Sequence, residues 1–367
     1  MILIKNGNVH FAKGKTENLD ILIEGKKIVE VGKNISADAE VIDASACEVF
    51  PGFILPTTSV GIYNYADLRC TDSNERAVPI NPDLHVHQAL DPVEVKMQGY
   101  EKHGITTFGA VPGNSALIAG QMGLYHTNGR SASDMAVSED VALKINFLSE
   151  VKKEFAPRNL APMTRMGMAA MLRKEFLQTI HSHDTKYNPE RSVYQKVLEG
   201  KLPILCNVRE KCDIETMLEL KKEFGFKLIL MGAYQAGAVH ETLKEMQIPV
   251  ILGDLIDASY LSYYHADIHD LISVSKDIPM ACSNNSTGFE GLLWSAEKMV
   301  RNGLAIEDAV DMMTINPAKI LGVEDRIGSI EVGKYADISI WNAHPLKTYS
   351  AHVEVCITAG RVWRANS

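Results

Sequence analysis

The stretch that decides the fold lies near the carboxyl end and reads PAKILG at residues 317–322, followed by GSIEVGKYADISIW at residues 328–341. Asn316 is a favourable helix N-cap, and the proline after it suits the first turn of a helix. Gly322 is a typical residue at a helix end. In residues 336–341 small or apolar residues alternate with polar ones, as in a half-buried strand. The stretch therefore predicts a last helix that returns the chain to a separate β-sheet unit.

Both ends of the chain carry short strand patterns, which predict one small β-sandwich built from the two termini. The Asn6-Gly7 dipeptide favours a hairpin turn after the first strand. The predicted strands are residues 2–4, 21–23, 28–31, 41–43, 338–341 and 353–362. We expect residues 1–51 together with 326–367 to form this domain.

The middle of the chain, residues 52–325, alternates short apolar strands with helical stretches. This alternation predicts βα units on a parallel sheet, and over this length a (β/α)8 TIM-like barrel closes such a sheet. The predicted strands are residues 53–55, 106–111, 204–208, 228–231, 250–253 and 280–283, and the predicted helices include 213–224, 240–246 and 289–302. Residues 60–100 interrupt the pattern as a long excursion, and loops of this length are usually functional or form interfaces.

Composition excludes several classes of partner. The net charge of -9 argues against nucleic acid and against anionic membrane surfaces. The six scattered cysteines form no CxxC pair and fit reduced thiols in a cytoplasmic protein. No apolar run reaches the length of a membrane span, and the first residues are too soon polar for a signal peptide.

The opening stretch resembles the closing signature of the amidohydrolase superfamily, where the last barrel helix leads back to a small β-domain. Further runs resemble the imidazolonepropionase-like subgroup of these metal-dependent hydrolases, namely residues 104–107, 111–114, 119–121 and 164–167. We expect these runs to form turns and helix starts, because they are rich in Gly, Pro and Asn. The resemblance implies hydrolysis of C–N bonds other than peptide bonds, by water activated on a divalent metal such as zinc.

The positions where the resemblance implies metal ligands or the catalytic base carry other residues. Hydroxyls and carboxamides are poor zinc ligands, and an amide cannot serve as a general base. These positions are Thr57, Ser59, Asn207, Arg209, Met231, Gly232 and Asn284, with Ser149 placed more loosely on a fourth strand. We therefore expect no cofactor and interpret the metal centre as dismantled.

Several other polar residues are candidates for binding a metal or an anion, each with a structural role as the alternative. His85 and His87 imitate a His-x-His metal motif but stand more than thirty residues after the Pro-Gly that such a motif follows, and exposed or structural histidines are the plainer interpretation. The clusters at residues 181–184 and 265–269 also offer imidazoles and carboxylates. Arg165 is a candidate anion contact, with a salt bridge on a helix surface as the alternative.

Three hypotheses follow for function. The first is a pseudoenzyme that binds a small molecule or serves as a subunit, with an active paralogue or a second copy of itself as partner. The second is an active hydrolase of a cyclic amide or an N-acyl amino acid, which would need zinc or another divalent metal on displaced ligands such as His85 and His87. The third, metal-free chemistry on Cys206 or Cys282, lacks an activating base nearby in sequence.

Overall fold

The computed structural model describes residues 1–63, 71–94, 97, 99–182, 186–256, 258–284 and 291–365. These residues form sixteen strands and eleven α-helices, and the strands form two sheets of eight strands each. The strands are β1 (Ile2–His10), β2 (Thr16–Glu24), β3 (Lys27–Gly32), β4 (Glu40–Asp43), β5 (Glu48–Pro51), β6 (Phe53–Thr58), β7 (Ile105–Ala110), β8 (Ile118–His126), β9 (Ala136–Asn146), β10 (Ile204–Val208), β11 (Leu228–Gly232), β12 (Val250–Leu252), β13 (Met280–Ala281), β14 (Ile338–Trp341), β15 (Val353–Thr358) and β16 (Arg361–Arg364). The helices are α1 (Ala132–Met135), α2 (Ser149–Phe155), α3 (Arg165–Ile180), α4 (Pro189–Leu198), α5 (Lys211–Phe224), α6 (His240–Met246), α7 (Ala258–Tyr263), α8 (Ile268–Ser275), α9 (Gly291–Arg301), α10 (Ile306–Asp311) and α11 (Ile315–Ile320).

The first sheet joins both ends of the chain, as the sequence predicts. Its order is β16-β15-β14-β5-β1-β2-β3, with β4 paired to β1. Strand β14 pairs antiparallel with β5, so that Ile338 lies opposite Pro51. The division of domains at residues 51 and 326 itself stays a prediction.

Two local predictions in this sheet are wrong. Asn6-Gly7 makes no hairpin, because β1 continues through it with an irregular register and the Asn6 N–H donates to Asp20 Oδ1 at 2.9 Å. Asn316 does not cap a helix; it lies inside α11, and its Nδ2 donates to the Met280 carbonyl at 3.0 Å. In both places the asparagine donates a hydrogen bond to an acceptor far away in sequence, and this bond takes the place of the local turn or cap.

The second sheet is the barrel, in the order β6 through β13. The barrel fold is confirmed, with one departure from the parallel arrangement: β8 runs antiparallel to both β7 and β9. Residues 312 and 313 bridge the β13 and β6 edges of the barrel. Cys282 N, just after β13, donates to Met312 O at 3.0 Å, and Ile54 N, in β6, donates to Met313 O at 2.8 Å. These contacts nearly close the barrel.

The helices follow local sequence signals. Thr164 caps α3, since its hydroxyl accepts from Gly167 N at 2.9 Å, and Gly225 ends α5 in the left-handed region. The predicted helix 240–246 is confirmed as α6, and 213–224 lies within α5. The predicted helix 289–302 corresponds to α9, with its first two residues outside the described part of the chain. The predicted turn at 119–121 is wrong, because these residues lie within β8.

One glycine fixes how the β15–β16 turn packs on the β2–β3 turn. Gly360 has φ +78°, and a Cβ there would lie 1.8 Å from the Gly25 carbonyl oxygen, whereas Gly225, with φ +76°, has open space. We expect Gly225→Ala to lower the free energy of unfolding by about 1 kcal/mol through backbone strain alone. Gly360→Ala should cost about 3 kcal/mol, because the backbone must also move. Urea unfolding of both variants checks this, and equal losses would contradict it.

Candidate functional site

The carboxyl ends of the parallel barrel strands form the mouth of the barrel, and the predicted positions lie there. Thr57 is the fifth residue of β6, Asn207 the fourth of β10, and Met231 and Gly232 end β11. Ser59, Arg209 and Asn284 follow the ends of β6, β10 and β13. Because the ends of parallel strands share one edge of a sheet, the fold places all seven predicted positions at that edge.

Thr57 connects the first and last barrel strands at this mouth. Its Oγ1 lies 2.8 Å from Ser283 Oγ, and Ser283 Oγ also donates to the Thr57 carbonyl at 3.1 Å. Both side chains are buried. The hydroxyl that stands at an implied metal-ligand position therefore serves to hold the barrel closed.

A buried lysine without a local sequence signature lies near the carboxyl end of β9. Lys144, on β9, is 1% exposed. Its Nζ donates to Pro112 O at 2.6 Å, to Asn114 Oδ1 at 2.8 Å and to Gly113 O at 3.4 Å. Burial lowers the pKa of Lys144 to about 7. These acceptors belong to residues 111–117, which we call the mouth loop.

Two asparagines complete the contacts between the mouth loop and the strands. Asn146 Nδ2 donates to Gly113 O and to Ala116 O, both at 2.9 Å. Asn207 Nδ2 donates to Asn114 Oδ1 at 3.1 Å. Asn146 Oδ1 is buried and has no hydrogen-bond partner among the described residues. The network therefore holds the loop on the barrel and leaves one buried carboxamide oxygen without a hydrogen bond.

The ends of β11 contribute no polar side chain to the mouth. Met231 is 3% exposed and packs in the apolar barrel interior with Leu205 and Ile229. Gly232 has φ +84°, and a Cβ there would lie 2.7 Å from the Val208 carbonyl oxygen. A larger residue at this position would push against β10, so the strand packs closely where the resemblance implies ligands.

Arg209 belongs to an ion pair at the rim of the mouth. Its Nη1 donates to Glu150 Oε1 at 2.6 Å and to Tyr264 Oη at 2.9 Å. Tyr264 stacks on Tyr234, which stacks on Tyr260, with ring centroids 5.3 and 5.8 Å apart. Burial alone raises the pKa of Glu150, but the Arg209 guanidinium outweighs burial, and the carboxyl pKa lies below its usual range. The charge of Arg209 is thus largely balanced.

The long segment between β6 and β7 contacts the mouth loop. Gly113 N donates to Ser73 O at 2.6 Å, and Ser115 N donates to Asn74 Oδ1 at 3.2 Å. A Cβ on Gly113 would lie 2.1 Å from Asn74 Oδ1. The described part of residues 60–100 therefore covers the mouth loop from outside.

His85 and His87 form hydrogen bonds with separate sets of partners. His85 Nδ1 lies 2.6 Å from Asp140 Oδ1, and its Nε2 lies 3.3 Å from Gln121 Nε2. His87 Nε2 lies 3.3 Å from Ser133 Oγ, while its Nδ1 lies 3.5 Å from the Tyr125 hydroxyl. Neither belongs to a group of three candidate metal ligands within the described residues.

Arg165 lies in an acidic group on the outer surface. Its Nε donates to Asp213 Oδ1 at 2.5 Å, and its Nη2 lies 3.6 Å from Glu210 Oε2. Together with Cys212, these carboxylates are the one potential metal-ligand group in the described part of the chain. The guanidinium offsets part of the negative charge of this group, so Arg165 is placed as in a helix-surface salt bridge.

The remaining candidates are placed in unreactive settings or outside the described residues. Burial raises the pKa of the Cys282 thiol to about 12 and raises that of Cys206 as well, so both stay protonated near neutral pH. Asp267 accepts from His269 N at 2.8 Å and caps α8. Of the 181–184 cluster, residues 183 and 184 lie outside the described residues.

Comparisons with known proteins agree with this architecture. The sequence profile of the amidohydrolase family matches residues 263–361. A solved amidohydrolase from Thermotoga maritima MSB8 superimposes with a TM-score of 0.93 and 28% identity, covering 99% of this chain and 100% of that one. The chain belongs to the amidohydrolase superfamily.

Other superfamily relatives match smaller shares of their own length. The "Amidohydrolase tasK" of Hapsidospora irregularis is 26% identical over 92% of this chain, which spans 39% of that protein. An imidazolonepropionase from Shewanella oneidensis is 47% identical over 14% of this chain and 14% of its own length. None of the described helices combines the length and apolar character that a membrane crossing requires.

The residues at the mouth of this amidohydrolase-superfamily barrel do not fit a divalent metal. At the implied ligand positions the possible donors are the hydroxyls of Thr57 and Ser59 and the carboxamides of Asn207 and Asn284, which are weak ligands for zinc-like ions. Lys144 Nζ faces three acceptor oxygens and acts as a hydrogen-bond donor, and in its protonated form it presents no lone pair to an ion. Ser149, placed on a fourth strand by the sequence analysis, instead begins α2, because β9 ends at Asn146.

Proposed function

We propose that this chain is an amidohydrolase-like protein that has lost its divalent-metal centre and acts as a small-ligand-binding or partner subunit. The observation that carries the proposal is the Lys144 network. A buried lysine binds the mouth loop through three oxygens, and it shares the Asn114 oxygen with Asn207, one of the positions where the resemblance implies a metal ligand. In its protonated form, Lys144 would strongly repel a positive metal ion in this buried environment.

The mouth offers chemistry for a small, polar ligand. Asn146 Oδ1 accepts from no described residue, so a ligand N–H or O–H can donate to it. Arg209 and Tyr264 provide polar groups at the rim, and the stacked tyrosines provide a flat apolar surface. We infer a small molecule with hydrogen-bond donors as ligand, and an active paralogue or a second copy of the chain as protein partner.

A second candidate function is hydrolysis of non-peptide C–N bonds with displaced metal ligands, in an enzyme of the imidazolonepropionase-like subgroup. Its support is the match to an imidazolonepropionase and to a dihydroorotase from Streptococcus thermophilus, which is 48% identical over 15% of this chain. The accessible imidazoles of His85 and His87 would have to supply the ligands. Under this candidate, His85→Ala with His87→Ala would abolish metal binding.

Metal content per chain, measured by mass spectrometry, tests the proposal. The protein is made without a chelating tag in medium supplemented with zinc, manganese or iron. We expect less than about a tenth of an equivalent of each metal, because the seven positions where the resemblance implies ligands or the base carry no carboxylate and no imidazole. One or two equivalents would overturn the proposal, and their loss in the His85→Ala/His87→Ala variant would favour the hydrolase.

A further inference from the structure

A cavity of about 520 Å³ lies at the opposite end of the barrel, and we call it the floor cavity. Its lining includes Pro203, Lys227 and Pro249, which immediately precede β10, β11 and β12. Its inner side is formed by the loop after α11. Cavities of this size commonly hold small molecules. The floor cavity is therefore separate from the mouth and large enough for a ligand.

The charge of the floor cavity is the reverse of the charge of the whole chain. The chain carries 46 acidic and 37 basic residues. The cavity is lined by five basic side chains, Lys201, Lys221, Lys227, Lys319 and Arg326. Asp140 is its one lining carboxylate, and that group is bound to His85 at 2.6 Å. Cations gathered in one concave surface create a positive potential that attracts anions.

Several of these cations lack strong partners. No described residue accepts a hydrogen bond from, or forms an ion pair with, the ammonium groups of Lys227 and Lys319, which are both exposed. Arg326 Nη1 donates to the Val137 carbonyl at 2.5 Å; its Nε is buried without a hydrogen-bond acceptor and lies 3.6 Å from Asp325 Oδ1 in an ion pair. A buried unsatisfied donor is costly, and an anionic oxygen would satisfy it. Lys201 differs, because it pairs with Glu199 at 2.7 Å.

The cavity also has an apolar wall. Its apolar lining residues come from β11, from the end of α6 and the residues after it, and from the end of α11 and the residues after it, and they include Ile229, Met246, Ile248, Ile320, Leu321 and Val323. A wall of this kind adds affinity for the carbon skeleton of a ligand, while the cations bind its charged groups. The concave shape and the net charge of the chain both favour a small molecule over nucleic acid.

We propose that the floor cavity binds a small organic polyanion, a molecule with two or more negative oxygens from phosphate or carboxylate groups and an apolar body. Lys227, Lys319 and Arg326 bind the anionic oxygens, and the apolar wall holds the body. This site depends on no property of the mouth, so it stands whether or not the barrel binds a metal.

Isothermal titration calorimetry on the full chain tests this site with adenosine monophosphate as the organic probe and inorganic pyrophosphate as the bare anion. We expect adenosine monophosphate to bind at one site per chain, with an affinity that falls as salt is added. The charge reversal Lys227→Glu with Lys319→Glu should weaken binding at least about tenfold, because two attractive interactions become repulsive.

The matched control is Lys33→Glu with Lys222→Glu, which changes the net charge equally at exposed lysines that do not line the cavity. It should leave the affinity within about twofold. Equal weakening in both double variants would overturn the site, since binding would then follow net charge alone. If pyrophosphate binds and adenosine monophosphate does not, the role of the apolar wall is overturned. If neither probe gives a heat of binding, the proposal is overturned. Lys227→Ala with Lys319→Ala, which removes the charges without adding carboxylates, should weaken binding to a smaller extent and guards against a folding defect.

Discussion

Replacing Lys144 by methionine is expected to remove about 2 to 3 kcal/mol of pH dependence from the free energy of unfolding between pH 6 and pH 9. In the unfolded chain a lysine holds its proton up to pH 10.5, whereas burial lowers the folded pKa of Lys144 to about 7. Between these values the unfolded state binds more protons. The contribution of Lys144 therefore makes stability rise with pH, and its destabilising effect is largest below pH 7.

Urea unfolding of the wild type and of Lys144→Met at pH 6 and pH 9 measures this contribution. The variant also loses hydrogen bonds to Pro112 and Asn114, but that loss lowers stability with little dependence on pH. Lys222→Met, at an exposed position, serves as control and should keep the wild-type slope. An unchanged slope in Lys144→Met would show that Lys144 keeps an ordinary pKa in the folded protein.

The sequence predicts the barrel because its most regular strands have simple signatures. Strands β6, β10 and β11 are short apolar runs, and the structure confirms them. Strand β8 escapes prediction because Gly120 and Gly123 interrupt its apolar pattern, and glycines in strands often mark irregular pairing. The register shifts between β8 and its neighbour β9 agree with this.

Strand β9 escapes prediction for a different reason. Its first half carries Ser138, Glu139 and Asp140, which resemble a solvent-exposed turn. Its second half contains Lys144, and lysine is almost never fully buried unless its charge is compensated. Among the described residues, the oxygens that accept from Lys144 Nζ all belong to the mouth loop, about thirty residues earlier in the chain. A contact at that separation follows from the tertiary fold and has no local signature.

For the candidate site, the sequence predicted the positions of the residues but not their hydrogen-bond partners. The positions at the strand ends follow from a family resemblance and from the rule that parallel strands end at one edge. The partners of these positions did not follow, because Thr57 bonds to Ser283 and Asn207 to Asn114 across long distances in sequence. The sequence thus identified where the mouth lies, and the structure shows what fills it.

Asn114→Ala is expected to lower the free energy of unfolding by about 2 to 4 kcal/mol, because a single oxygen of Asn114 accepts from two buried side chains. Lys144 Nζ and Asn207 Nδ2 lie 2.8 and 3.1 Å from this oxygen, and both would lose an acceptor. The loss should be larger than for Asn128→Ala, where Nδ2 donates once, to Glu101 Oε1 at 3.2 Å. Chemical denaturation of both variants at pH 7 makes this comparison, and equal losses would argue against a central role for Asn114.

Asn114→Asp then separates the shape of the network from its charge. The carboxylate keeps the accepting oxygen and adds a negative charge beside Lys144, which should raise the pKa of Lys144 toward its ordinary value. The pH dependence of stability between pH 6 and pH 9 should therefore fall in Asn114→Asp, as in Lys144→Met, although the lysine is still present.

A double-mutant cycle of Asn114→Ala with Lys144→Met measures how strongly the two side chains are coupled. The losses in the free energy of unfolding of the two single variants should add up to at least about 1 kcal/mol more than the loss in the double variant. Additive effects would mean that the two side chains stabilise the mouth independently, and the mouth loop would then be held by its backbone contacts to Asn146.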